Sequence, residues 1–116
     1  MTSTTWLLRE GVVLANADKA STYAERLRGL LGRKEYEGAF ILPRTRSVHS
    51  LGMRFTIDVA FLDRDMCVVD VVSLAPWRMS LPRLRARMVL EAQAGAFERW
   101  GLRIGDKLEL HDPGDP

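Results

Sequence analysis

Residues 47–72 read SVHSLGMRFTIDVAFLDRDMCVVDVV, and the register of this stretch decides the fold. From Ile57 onward, apolar and polar positions alternate on both sides of Asp63-Arg64-Asp65-Met66, the pattern of two strands joined by a turn. Two registers compete. A two-residue loop pairs Asp63 with Met66 and sets Asp70 among Ile57, Val59 and Phe61. A three-residue loop closed by a bulge pairs Asp63 with Cys67 instead. It gathers Ile57, Val59, Phe61, Cys67, Val69 and Val71 on one uncharged face and puts Asp58 and Asp70 together on the other. A one-residue slip exchanges the buried and solvated faces of a strand, so burial selects the bulged register. Met66 then occupies the position that wants a left-handed backbone, where Gly is the comfortable residue.

Around this hairpin the chain has 116 residues, 47% hydrophobic and 28% charged, as expected of one soluble globular domain spanning 1–116. The core is expected over about 5–110, with a flexible polar tail at 111–116. Cys67 has no second cysteine to pair with and lies on the apolar face, so it reads as a small buried hydrophobe. One Cys and two His do not make a Cys/His zinc site, and neither metal nor cofactor is expected. MTSTTWLLRE has no basic leader region, and no stretch approaches the ~20 apolar residues of a membrane span. The expectation is a cytoplasmic protein without membrane contact.

Thr5–Leu8 and Val12–Ala15 are strands flanking Glu10-Gly11. Ser21–Leu31 reads as the main helix: Thr22 and Glu25 form a capping box, Gly32 takes the position after the last turn, and Leu27 and Leu30 belong to an apolar stripe. Phe61 is expected to pack against that stripe. Ala39–Leu42, Met88–Ala92 and Leu108–Leu110 read as strands, and Gly95–Trp100 as one short helix stopped by Gly101. Ser50 is positioned to cap a single turn over Leu51–Arg54 by accepting from the Met53 amide. Ser73–Arg87, with Pro76 and Pro82, is the longest irregular stretch. The fold class is β-rich α+β: a compact antiparallel β-barrel or sandwich with one main helix packed on it.

No phosphate-binding loop, dinucleotide fingerprint, nucleophile elbow or H-E-x-x-H motif is present. The charge pattern is more informative. Residues 38–57 contain no Asp or Glu and carry Arg44, Arg46 and Arg54; residues 71–90 contain none and carry Arg78, Arg83, Arg85 and Arg87. These 40 residues hold +7 of a net +2, leaving −5 on the other 76. If the two segments meet, one side of the molecule is electropositive, and arginine is the side chain suited to forked recognition of carboxylate or phosphate. His49, between Ser47 and Ser50 and near Arg54, reads either as a ligand-contacting imidazole or as a structural His fixing the bend at 47–53. Asp58 and Glu91 are the carboxylates that acid–base chemistry with His49 would use. A buried Glu91 would want an arginine, with Arg26 and Arg54 as the options.

Several ordered motifs carry a family resemblance. They are Arg26-Leu27-Arg28-Gly29-Leu30-Leu31-Gly32-Arg33, Ser47-Val48-His49-Ser50-Leu51-Gly52-Met53-Arg54-Phe55 running into Ile57-Asp58-Val59-Ala60-Phe61-Leu62-Asp63, Pro76-Trp77-Arg78, Val89-Leu90-Glu91 with Ala94-Gly95, and Gly105-Asp106. Together they resemble the domain of unknown function 192 family, also called UPF0127, over Ala17–Leu110. The resemblance implies a small β-rich domain with a packed helix and no settled activity. Thr56 stands where the family commonly has Pro, and Met66 where its turn usually has Gly.

The leading reading is a binding or accessory domain. It takes a small anion or an acidic partner segment on His49, Ser50, Arg54, Arg78, Arg83, Arg85 and Arg87. The second is an enzyme with His49 as base and Asp58 or Glu91 as second carboxylate. The third, nucleic-acid binding, is weakened by the small net charge and by Trp77 being the only aromatic in its segment.

Overall fold

The computed structural model describes residues 3–19 and 38–112. The expected helix at Ser21–Leu31, with its stripe of Leu27 and Leu30, lies outside them. Strands β1 (Ser3–Arg9) and β2 (Val12–Lys19) form a hairpin whose two-residue turn, Glu10 and Gly11, has φ of 52° and 79°. Two positive φ values match the twist of the flanking strands. Then follow β3 (Ala39–Pro43), β4 (Ile57–Leu62), β5 (Val68–Leu74), β6 (Met88–Gln93), the five-residue helix α1 (Ala96–Trp100) and β7 (Glu109–His111). His111, placed in the tail by sequence reasoning, ends β7 opposite Trp6.

The strands make one sheet in the order β5-β4-β6-β3-β2-β1-β7. Its pairings are antiparallel except β2 with β3, which run parallel. The sheet is therefore mixed, where an antiparallel one was expected. It is also not a closed barrel: the edge strands β5 and β7 share no ladder. Their approaches touch at one end only. There Cys67 bridges Lys107, the Val68 amide donates to Asp106 at 2.8 Å, and the Leu108 amide donates to Met66 at 2.9 Å.

Two separate apolar clusters lie on the two faces of the sheet. The inner one draws on every strand, through Leu7, Ala17, Ile41, Leu62, Val68, Leu90 and Leu110, and on Phe97 of α1. The outer one lies over β3, β4 and β6. It joins Phe40, Val59, Phe61 and Val89 to Val48, Met53 and Ala86 from the irregular segments. Phe61, fully buried, belongs to this outer cluster.

The hairpin turn has the expected form. The Asp63 amide donates to the Cys67 carbonyl at 3.0 Å, the Met66 amide to the Asp63 carbonyl at 3.0 Å, and Met66 has φ 65°. Asp63 Oδ1 accepts from the Asp65 and Cys67 amides, which fixes the loop from inside. The face assignment beyond the turn is corrected. Leu62 pairs with Val68 but Phe61 pairs with Asp70, so a second bulge at Val69 shifts the register by one. Asp70 thus shares a face with Phe61, Val69 stays in the outer cluster, and Val71 packs with the inner one. Asp58, on the inner face with Ala60 and Leu62, is on the opposite side from Asp70. Its Oδ2 accepts from the Gly95 and Phe97 amides at 3.0 and 3.1 Å. A strand residue thereby supplies the N-terminal cap that Gly95 at the head of α1 lacks.

Candidate functional site

The two acid-free segments do meet. The Ser50 amide donates to the Arg78 carbonyl at 2.8 Å, Ser80 to Val48 at 2.8 Å, Arg83 to Arg46 at 2.9 Å and Thr45 to Arg87 at 3.3 Å. His49 and Met79 form an antiparallel bridge. Residues 45–50 and 77–87 are thus an irregular two-stranded ribbon laid over the outer face of the sheet. Two features keep it irregular. Pro76 and Pro82 have no amide to donate, and Arg44 and Trp77 turn the chain through left-handed backbone at φ 53° and 63°.

Ser50 is the pin of this ribbon. It is fully buried; its hydroxyl donates to the Ala75 carbonyl at 2.5 Å and accepts from the Arg78 amide at 2.9 Å. The Trp77 amide donates to the Ser50 carbonyl at 3.0 Å. The expected side-chain cap onto Met53 is not made, because the Met53 amide donates to the Ser50 carbonyl instead. His49 is half-buried, and its Nδ1 accepts from the Leu51 amide at 3.3 Å.

The arginines divide. Arg83 is engaged structurally: its Nε donates to Asp70 Oδ2 at 2.8 Å, an Nη donates to the Leu81 carbonyl at 2.6 Å, and its Cζ stands 4.7 Å from the centre of the Phe61 ring. The guanidinium hydrogen bond holds the Asp70 carboxyl below its ordinary pKa of 3.8, against a smaller opposing effect of burial. The resulting stability is present in full above the unfolded carboxylate's pKa and is lost as pH falls through the lowered value. Asp70→Asn is therefore expected to flatten the acid limb of a stability-versus-pH curve below about pH 4. An unchanged acid limb in urea titrations across that range would show that the pair contributes nothing there.

Arg85 and Arg87 line a depression of about 380 Å³ with Asp63, Arg64 and Asp65 of the hairpin turn. Arg83 and Arg85 line another, of about 450 Å³, with Val69, Asp70, Pro82 and Leu84. Neither depression is lined by His49, Ser50, Arg54 or Arg78. The ribbon therefore brings His49, Ser50 and Arg78 together through its backbone and gathers Arg83, Arg85 and Arg87 at its other end. Arg54 is exposed on the bend leading into β4. Glu91 is buried on the same outer face, level with Phe40 and Val59. Asp58 is on the opposite face and occupied with α1. Among the described residues no cluster of His, Cys, Asp and Glu could hold a metal ion, and no helix is long and apolar enough to cross a membrane.

Sequence reasoning missed the apolar half of this surface. Trp77, Met79, Leu81 and Leu84 all stand exposed on the ribbon between its arginines. The signal was present, since large apolar residues in a proline-interrupted stretch have no strand or helix to bury them.

Comparison with known proteins agrees with the motifs. A UPF0127 protein of Pyrococcus horikoshii is 41% identical over 95 residues, covering 78% of this chain and 83% of that one. A UPF0127 protein of Pyrococcus furiosus is also 41% identical over 95 residues, covering 78% and 82%. Two solved structures share the fold. A protein of unknown function from Novosphingobium aromaticivorans has a TM-score of 0.71 at 24% identity, with 93% of this chain and 84% of that chain covered. A Sinorhizobium meliloti protein described as a candidate transcription regulator has a TM-score of 0.73 at 21% identity, with 95% and 94% covered. The family DUF192, "Uncharacterized ACR", matches residues 7–110, a span that holds the hairpin, the Ser50 pin and the whole arginine ribbon; the chain belongs to that family.

Proposed function

We propose that this domain is a binding module whose ribbon recognises an acidic segment of a partner protein. The observation that carries the reading is the joining of two acid-free segments, holding seven arginines, by backbone hydrogen bonds into one surface. Such a surface favours carboxylates through charge-assisted, forked hydrogen bonds. The local field is uneven. Arg83 is paired to Asp70, and Arg85 and Arg87 share their depression with Asp63 and Asp65, so the recognising groups are Arg78, His49 and the outward parts of Arg85 and Arg87. A small anion uses the same groups but leaves the exposed apolar side chains idle, which favours a peptide as the natural ligand. Catalysis by His49 with Asp58 loses support because Asp58 caps α1 on the other face of the sheet.

The test is an NMR titration with phosphate, citrate and a short acidic peptide at low and high ionic strength. The peptide is expected to shift His49, Arg78, Arg85 and Arg87 together, and phosphate to do so weakly, at around millimolar. Shifts spread equally over Arg9, Arg64 and Arg99 would reduce the effect to diffuse charge attraction, which salt screens. No shifts at all would remove the proposal.

A further inference from the structure

Trp77, Met79, Leu81 and Leu84 are 64%, 73%, 78% and 81% exposed, all within one short loop. A single exposed apolar residue is ordinary, but four large ones within eight residues of one loop mark an interaction surface. Two further observations narrow what it meets. The first is backbone geometry. Trp77 has φ 63°, a conformation bulky residues avoid, and it is pinned there from inside the molecule. Its amide is held by the Ser50 carbonyl, while the buried Ser50 hydroxyl holds Ala75 before it and Arg78 after it. The fold thus keeps a strained backbone while the indole itself stands in water, and strain of this kind gathers at functional positions. The second is composition. From 71 to 90 every charged residue is arginine, with no Lys, Asp or Glu. Trp, Met and Arg are enriched at the centres of protein interfaces and Lys is depleted there.

We propose that the 77–87 loop is the docking surface for a partner-protein segment carrying large apolar side chains between its carboxylates, with Trp77 as the anchor. The inference rests on the acidic-partner reading above and adds the apolar half of the recognition. Trp77 and Leu84 bury apolar side chains of the segment, while Arg78 and Arg85 pair with its carboxylates. Because the Trp77 backbone is already fixed, docking orders little of the loop, and less binding energy is lost to that ordering. A nucleic acid fits less well: it would stack on several aromatics, and Trp77 is the only one on the ribbon.

The experiment is calorimetric titration of the full chain with three probes. One is a short peptide of interspersed Glu and Leu, one is the same peptide with every Leu replaced by Ser, and one is vesicles of phosphatidylglycerol with phosphatidylcholine. The Glu/Leu peptide is expected to bind about tenfold or more tighter than the Glu/Ser peptide. Trp77→Gly, which keeps the left-handed backbone without strain, and Leu84→Ser should each remove most of that advantage and leave Glu/Ser binding unchanged. Both positions are exposed, so a urea midpoint no lower than that of the parent chain will show that the variants fold. Equal binding of the two peptides would overturn this inference and leave the electrostatic reading standing. Failure of both peptides would overturn both. Vesicle binding that depends on Trp77, without peptide binding, would make the loop a membrane-surface element and overturn the protein-partner assignment.

Discussion

Phe61→Ala is expected to lower the free energy of unfolding by about 4 kcal/mol, close to the whole stability of a marginal domain of this size. Phe61 is fully buried and sits where β4 meets the outer cluster, touching the ribbon as well as the sheet. Its truncation leaves a cavity walled by strands that cannot collapse into it, because β4 is paired on both sides, to β5 and to β6. The ring also supports the Arg83 guanidinium, so the Asp70 pair should loosen with it. Urea unfolding at constant m-value measures the cost. A loss below about 1 kcal/mol would mean that the outer cluster closes without Phe61. Phe61→Leu, which keeps most of the volume, should cost much less and preserve the ribbon.

Ser50→Ala should have the next largest effect, about 2–4 kcal/mol, despite removing a single oxygen. Two groups lose their partner at once: the Ala75 carbonyl and the Arg78 amide. Each poorly solvated orphan costs roughly 1–3 kcal/mol. The damage should be local. Hydrogen exchange at the Trp77, Arg78 and Ser80 amides is expected to accelerate while β4 and β6 keep their protection. Uniform acceleration would show that Ser50 supports the whole sheet, and no acceleration would show that water replaces its hydroxyl without loss.

These two residues mark what the sequence makes legible. Phe61 is readable as core, and so is the turn at Asp63–Met66, because alternation and turn chemistry are local and agree. The bulge at Val69 is not readable. β4 is buried on both faces except at Asp58, so the rule that a strand hides one side and wets the other gives no preference between Asp70 inward and Asp70 outward. Arg83 decides the matter from thirteen residues away in sequence, by neutralising Asp70 where it emerges beside Phe61. The parallel pairing of β2 with β3 is hidden for a related reason, since it depends on a crossover rather than on a local turn.

The candidate site follows the same division. The absence of acidic residues from two segments is visible as a charge pattern, and the backbone bonds between Ser50 and Arg78 and between Val48 and Ser80 show why it matters in three dimensions. Ser50 reads from the sequence as a turn cap or a ligand-contacting hydroxyl, because the Ala75 carbonyl and Arg78 amide that it bridges lie 25 and 28 residues away. Asp58 misleads for the opposite reason. A carboxylate on a strand invites an acid–base reading, while its actual partners are two amides of a helix that begins some forty residues later.

The placement of β7 bears on how the chain comes off the ribosome. β1 precedes the other described strands in the chain, yet its outer edge pairs with β7, and the approach to β7 also latches the start of β5. Until residues 105–111 are delivered, a nascent chain holds a finished β1–β2 hairpin with a naked rim bearing Leu7 and Leu8, and a β4–β5 hairpin with nothing clasping its open end. Such rims are templates for pairing with a neighbouring chain. Vectorial synthesis thus leaves the β1 rim uncovered until β7, the most C-terminal of the described strands, is delivered.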